Sequence, residues 1–67
     1  MIEHIDNLLY QLEKTAAIFH YDIDSNADYI DLCEEVTRVQ FEGVKPSGLW
    51  CRLVIAKIAD LLLEVVN

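Results

Sequence analysis

The last twenty residues of the chain, Gly48 to Asn67, are too apolar for the surface helix of a small monomer. On a helical wheel the polar residues Lys57, Asp60 and Glu64 fall in one narrow arc, and apolar side chains cover well over half of the circumference. The surface helix of a globular protein usually has an apolar stripe of only about 100° or slightly more. This segment therefore predicts a helix that is covered on two sides.

The rest of the chain offers few elements that could cover both sides of this helix. The chain has 67 residues, and domains of this size bury only about 60% of the surface that their unfolded form exposes. Disulfides, a metal ion or self-association commonly stabilise such small domains. We therefore expect a homodimer, or else a complex with a different protein. The predicted dimer interface consists of Val54, Ile55, Ile58, Leu61, Leu62 and Val65.

Two further segments have the apolar spacing of helices. In the first, apolar residues follow one another at intervals of three and four residues, at Ile2, Ile5, Leu9, Leu12, Ala16 and Phe19. In the second, the same intervals separate Tyr29, Leu32, Val36 and Val39. Together with the last segment they predict one all-α domain over residues 1–67, with helices at about 2–21, 27–42 and 48–66.

Short connectors between these segments favour antiparallel neighbours, which predicts a small three-helix bundle. The alternative is a helical hairpin of the first and third helices, with a short middle helix across one end. Ser25 is the expected N-cap of the second helix, because Asp28 follows it in the spacing of a capping box; Asn26 and Asp24 are alternative caps. Ser47 is the expected N-cap of the third helix.

The charge of the chain limits the partners that it can bind. Twelve acidic residues against five basic ones give a net charge of −7. This excess of negative charge disfavours direct binding to nucleic acid, where Lys and Arg contacts with phosphates supply much of the affinity. It also disfavours binding to anionic membranes and favours a basic protein partner.

The sequence predicts a cytoplasmic protein with reduced cysteines. Its first residues lack a basic region followed by an apolar one, so we expect no secretory signal. Cys33 and Cys51 form no CxxC pair, and two reduced thiols in the core are the simplest interpretation. A disulfide in a mature secreted chain is the alternative.

The acidic turn before the second helix resembles the start of a calcium-binding EF-hand loop. Its aspartates and Asn26 alternate as in such a loop, but Ala27 stands where a glycine is needed and Cys33 where a bidentate glutamate is needed. The two histidines also lack the spacing of zinc ligands. We therefore predict no metal and no cofactor, and a calcium-responsive module is a weak alternative.

No catalytic motif is visible, so we expect an interaction protein and not an enzyme. The favoured interpretation is a small acidic helical protein–protein interaction module, a modulator or antagonist that binds and inhibits or sequesters another protein. Aromatic residues and arginine are enriched at binding hot spots. The candidate partner-binding residues are therefore Trp50, Arg52, Tyr10 and Tyr21.

An acidic patch on the second helix supports a different function. The patch consists of Asp28, Asp31, Glu34 and Glu35. Carboxylates at helical spacing can imitate the phosphates of a nucleic acid backbone and so meet a basic groove. The alternative interpretation is therefore an inhibitor that mimics nucleic acid and occupies a DNA- or RNA-binding site.

Overall fold

The computed structural model describes residues 2–67, with the backbone alone for Ile2. Three α-helices make up this part of the chain, without any strand: α1 at Ile2–Ile18, α2 at Ala27–Glu42 and α3 at Gly48–Val66. A single 3₁₀ turn at Ile23–Ser25 lies between α1 and α2. The all-α prediction is confirmed. The middle helix is not short, however, because its 16 residues nearly equal the 17 of α1.

Hydrogen bonds between side chains define how the helices run relative to one another. Between α1 and α2, Gln40 bonds to Asp6 (3.0 Å) and Tyr29 bonds to Glu13. Between α2 and α3, Trp50 bonds to Glu35 (2.9 Å), and Asn26, the N-cap of α2, bonds to Glu64 (3.2 Å). In both pairs an early residue of one helix meets a late residue of the other. Each pair is therefore antiparallel, and the helices form an up-down-up bundle in which α1 and α3 run parallel.

The first helix ends at Ile18, three residues before the predicted boundary. His20 has a left-handed backbone with φ of 55°. The amide of Tyr21 donates to the carbonyl of Ala16 (2.8 Å) and that of His20 to the carbonyl of Ala17 (3.2 Å). These two bonds are the Schellman motif that commonly ends a helix, with a histidine at the position where glycine is usual. The motif explains why α1 does not continue through Tyr21.

The N-caps of α2 and α3 distinguish between the candidate capping residues. Asn26, and not Ser25, caps α2, because its side-chain oxygen accepts from the amide of Tyr29 (3.0 Å). The Ser25 hydroxyl instead donates to Asp22 (2.6 Å). Ser47 caps α3 as predicted, accepting from the amide of Trp50 (3.1 Å).

The core lies along the axis where the three helices meet. Its buried side chains come from all three helices and from the 3₁₀ turn: Ile5, Leu12, Ala16, Ile23, Tyr29, Leu32, Val36, Cys51, Val54, Ile58, Leu61 and Val65. Leu9 of the predicted α1 line is only partly buried. Phe19 is 53% exposed, since the helix has already ended before it. The side chain of Ile2, also assigned to that line, lies outside the described residues.

Candidate protein–protein interface

The third helix carries two apolar faces of identical spacing. Its core face, which packs inside the bundle, consists of Cys51, Val54, Ile58, Leu61 and Val65. One residue further along, with the same intervals of three and four, runs an outer stripe on the surface: Arg52, Ile55, Ala59, Leu62 and Val66. Because each α-helical residue turns the helix by about 100°, this shift by one residue moves the outer stripe well away from the core.

The outer stripe leaves substantial apolar surface in contact with water. Ile55, Leu62 and Val66 expose 39%, 38% and 43% of their surface. Leu49 and Leu63, exposed further still, lie beside the stripe. Twelve large apolar side chains are exposed among the described residues, and six of them belong to α3. A contiguous apolar surface of this kind typically marks an interaction site, whereas single exposed apolar residues do not.

The six residues of the predicted dimer interface divide between these two faces. Ile55 and Leu62 lie on the outer stripe and are accessible to a second chain. The other four are buried in the core of their own chain: Val54, Ile58, Leu61 and Val65. They pack in the core that α3 shares with α1, the helix in closest contact with it, and with α2. The four core residues are therefore not accessible to a second chain, and the interface remains a prediction for Ile55 and Leu62.

Two apolar residues of the outer stripe, Ala59 and Val66, are absent from the predicted interface. The signal that could have identified them is the second run of three- and four-residue intervals, which begins at Arg52. At the end of α1, Ile18 is 72% exposed. Because α1 and α3 run parallel, Ile18 lies at the same end of the bundle as Val66, so both helices contribute exposed apolar surface there.

Trp50, a predicted partner-binding residue, is held within the chain. Its indole is half-buried and packs against the core. The indole Nε1 donates to Glu35 of α2 (2.9 Å). The Arg38 guanidinium (2.8 Å from the same carboxylate) and the Trp50 indole hold the pKa of Glu35 below its ordinary value. Trp50 thus closes one end of the core between α2 and α3.

The other predicted binding residues do not converge on one site. Tyr21 packs against the core, and its hydroxyl accepts from the Asn26 side chain (3.0 Å). Tyr10 is 54% exposed on α1, with the Lys14 ammonium 5.4 Å from the centre of its ring. Only Arg52 lies on the outer stripe. The aromatic residues therefore contribute little to that surface.

The acidic patch is divided by the geometry of α2. Asp28 and Asp31 line a cleft of about 240 Å³ between α2 and α3, together with Lys57. Glu35 also lines this cleft, but its carboxylate is engaged by Arg38. Glu34 lines a different surface, beside Phe41. The four residues do not form one continuous row of unpaired carboxylates.

The acidic turn is used for folding contacts. Its Ile23 is buried in the core, while Asp22 and Asn26 accept the hydrogen bonds described above. Among residues 2–67 no three His, Cys, Asp or Glu side chains come together in a way that could hold a metal ion. The turn therefore serves to position α2 against α1.

One titratable group, Tyr29, lies in the core, and another, Cys33, packs against it. Burial raises the pKa of Tyr29 above its ordinary range, and the hydrogen bond that its hydroxyl donates to Glu13 raises it further. Burial likewise raises the pKa of the Cys33 thiol. Such a shift disfavours the reactive thiolate, and the position of Cys33 fits a structural role. Both cysteines are thiols in this structure.

Length and hydropathy leave none of the described helices able to cross a membrane. Comparisons with protein-family models, with curated proteins and with solved structures found no match to this chain.

Proposed function

We propose that this chain is a non-enzymatic protein–protein interaction module that forms a homodimer through the outer stripe of α3. We further propose that it acts in the cytoplasm as a modulator or antagonist of another protein. The observation that carries the proposal is the second apolar face of α3. That face has the residue spacing of a helix-packing surface, yet the described part of its own chain leaves it exposed.

Burial of the outer stripe would contribute favourable free energy to self-association. Full burial of one Leu, Ile or Val side chain stabilises a structure by about 1.5–3 kcal/mol. The stripe contains three such residues with about two fifths of their surface exposed, and Leu63 beside them is 59% exposed. Association in turn costs translational and side-chain freedom. The outer stripe therefore favours a dimer that dissociates on dilution.

The total surface of the chain supports the same conclusion. The single chain exposes 4793 Å². A typical monomer of 7.7 kDa exposes about 4,300 Å² by the usual relation between mass and surface. The excess is close to a tenth, and half of the exposed large apolar side chains lie on α3. Covering this helix in a dimer would reduce the excess.

The proposed action on another protein is supported by charge. The net charge of −7 favours a basic partner. Asp28 and Asp31 are exposed on α2, away from the outer stripe, and remain accessible when α3 is covered. The two thiols support the cytoplasmic assignment, because cysteines stay reduced in that compartment.

Sedimentation equilibrium over a range of chain concentrations tests the homodimer. We expect twice the 7.7 kDa mass of the chain at micromolar concentration, with dissociation on dilution. Leu62→Glu should yield a monomer with unchanged helicity, because a carboxylate would be buried at the interface. Leu53→Glu is the matched control, since Leu53 is an exposed leucine of the same helix outside the stripe.

The proposal is wrong if the parent chain remains a monomer at all concentrations up to about a millimolar. It is also wrong if Leu53→Glu dissociates the dimer and Leu62→Glu does not. That second result would move the interface to the cleft between α2 and α3.

A further inference from the structure

The outer stripe contains a single charged side chain, and its position determines how two copies can pair. Arg52 lies at the first turns of α3 and is exposed. The other members of the stripe, from Ile55 to Val66, are apolar. In a parallel pair of α3 helices the two Arg52 side chains would face each other. They would also lie near the two helix N-termini, where the helix dipole is positive. Both effects oppose parallel pairing.

The sizes of the stripe residues favour antiparallel pairing about Ala59. With Ala59 on a two-fold axis, residues whose numbers add to 118 lie opposite each other. Ala59 then faces the partner's Ala59, and Ile55 lies beside the partner's Leu62. The two small side chains at the axis let the helices approach closely, and the larger side chains pack on either side of them. Arg52 comes to lie beside the partner's Val66, at the negative end of the partner's helix.

We propose that two copies of this chain pair through their outer stripes as antiparallel α3 helices, with the two-fold axis at Ala59. This inference rests on the proposed homodimer and specifies its geometry. A two-fold axis makes the interface self-complementary, so the assembly closes at two chains and does not extend into a filament.

The area available fits this arrangement. Stable interfaces bury about 800 Å² on each partner, which is close to one sixth of the 4793 Å² of this chain. The overlapping segment 52–66 is about 22 Å long. The outer stripe runs along a bundle that measures 35 × 18 × 17 Å. A side of such a bundle is large enough to supply the area.

Opposite charges at residue 66 test the direction of pairing. In the antiparallel dimer Val66→Glu would attract the partner's Arg52, and Val66→Lys would repel it. We expect sedimentation equilibrium to give a dimer at least as tight as the parent for Val66→Glu and at least tenfold weaker for Val66→Lys. The helix dipole acts in the opposite sense, because it favours lysine at this end of α3. Circular dichroism checks that both variants are folded.

A charge exchange and a cross-link provide independent readouts. Arg52→Glu combined with Val66→Lys should restore the dimer that Val66→Lys weakens. In a Cys33→Ser background, Ile55→Cys mixed with Leu62→Cys should form a mixed disulfide faster than either variant forms its own.

Each remaining result overturns a definite part of the proposal. If both Val66 variants weaken the dimer equally and each cysteine variant cross-links to itself, the helices are parallel. If neither Val66 variant changes the dissociation constant, the pairing about Ala59 is wrong although the dimer stands. If the parent chain is a monomer, the proposed function fails together with this inference.

Discussion

The two faces of α3 have the same spacing and each carries Ile, Leu and Val, yet the described part of the chain covers only one of them. Leu61 on the core face is 4% exposed, and its neighbour Leu62 on the outer stripe is 38% exposed. The difference does not come from the residues, because both are leucines in regular helix. It comes from the position of α1 and α2, which pack on one side of α3 only. An apolar pattern therefore identifies a face that is suited to packing, but not whether its own chain covers that face.

The largest expected effect is the difference in stability between the alanine variants of Leu61 and Leu62. Leu61→Ala should lower the free energy of unfolding of the single chain by about 2–5 kcal/mol, because it leaves a cavity in the core. Leu62→Ala should lower it by less than about 1 kcal/mol, since the side chain is exposed in the single chain. Urea denaturation at a concentration where the chain is monomeric measures both values. Equal effects would show that Leu61 and Leu62 are buried to the same extent in the single chain.

The second effect concerns stability that depends on concentration. If the outer stripe is covered only in the dimer, a tenfold rise in chain concentration should stabilise the folded dimer by about 1.4 kcal/mol. The melting temperature of the parent should therefore rise with concentration, whereas that of Leu62→Glu should stay constant. Calorimetry at several concentrations provides the comparison. A parent melting temperature that does not change with concentration would argue against any role of the outer stripe in stability.

The third effect concerns the N-cap of α2, a contact within one chain whose contribution to stability should not depend on chain concentration. Asn26→Ala removes the N-cap of α2 and the bonds of this side chain to Tyr21 and Glu64. This substitution should lower the free energy of unfolding by about 1 kcal/mol. Ser25→Ala, at the neighbouring position, should lower it only slightly. Because the cap lies within one chain, its effect should be the same at all concentrations. A loss for Asn26→Ala that grows with concentration would place this turn at the dimer interface.

The smallest effect is a pH dependence of the contact between Glu35 of α2 and Trp50 of α3. The pKa of Glu35 is held below its ordinary value of 4.5 by Arg38 and Trp50. A carboxyl whose pKa is lowered by folding stabilises the fold above its ordinary pKa and loses this contribution as the pH falls through the lowered value. The indole resonance of Trp50 should therefore stay constant from pH 7 to about 5 and shift only below pH 4.5. Glu35→Gln should remove this shift, and a shift centred above pH 5 would contradict the assignment.

The sequence allowed much of the fold to be predicted. The spacing of Tyr29, Leu32, Val36 and Val39 predicted the buried line of α2, and all four are buried. The bounds predicted for α2 and α3 coincide with those observed. The predicted end of α1 was wrong because the left-handed backbone of His20 terminates the helix. This conformation is uncommon for residues other than glycine, so the sequence gives little sign of it.

The candidate site was harder to predict than the fold. The helical wheel showed how wide the apolar arc of α3 is, but not where on that arc α1 and α2 would pack. The predicted interface accordingly mixed core residues such as Leu61 with outer residues such as Leu62. The capping residue of α2 was ambiguous for a related reason. Ser25 and Asn26 can both cap a helix chemically, and the choice between them depends on the local fold in which Ile23 is buried.

The most direct test of the central claim is whether the outer stripe is covered in solution. Methyl NMR with a soluble paramagnetic agent reports the accessibility of individual leucines at a concentration where the parent chain is dimeric. The proposed dimer predicts that the methyl groups of Leu62 are protected as well as those of Leu61, while those of Leu53 are strongly broadened. Broadening of Leu62 equal to that of Leu53 would show that the outer stripe is open to solvent, and would contradict the claim.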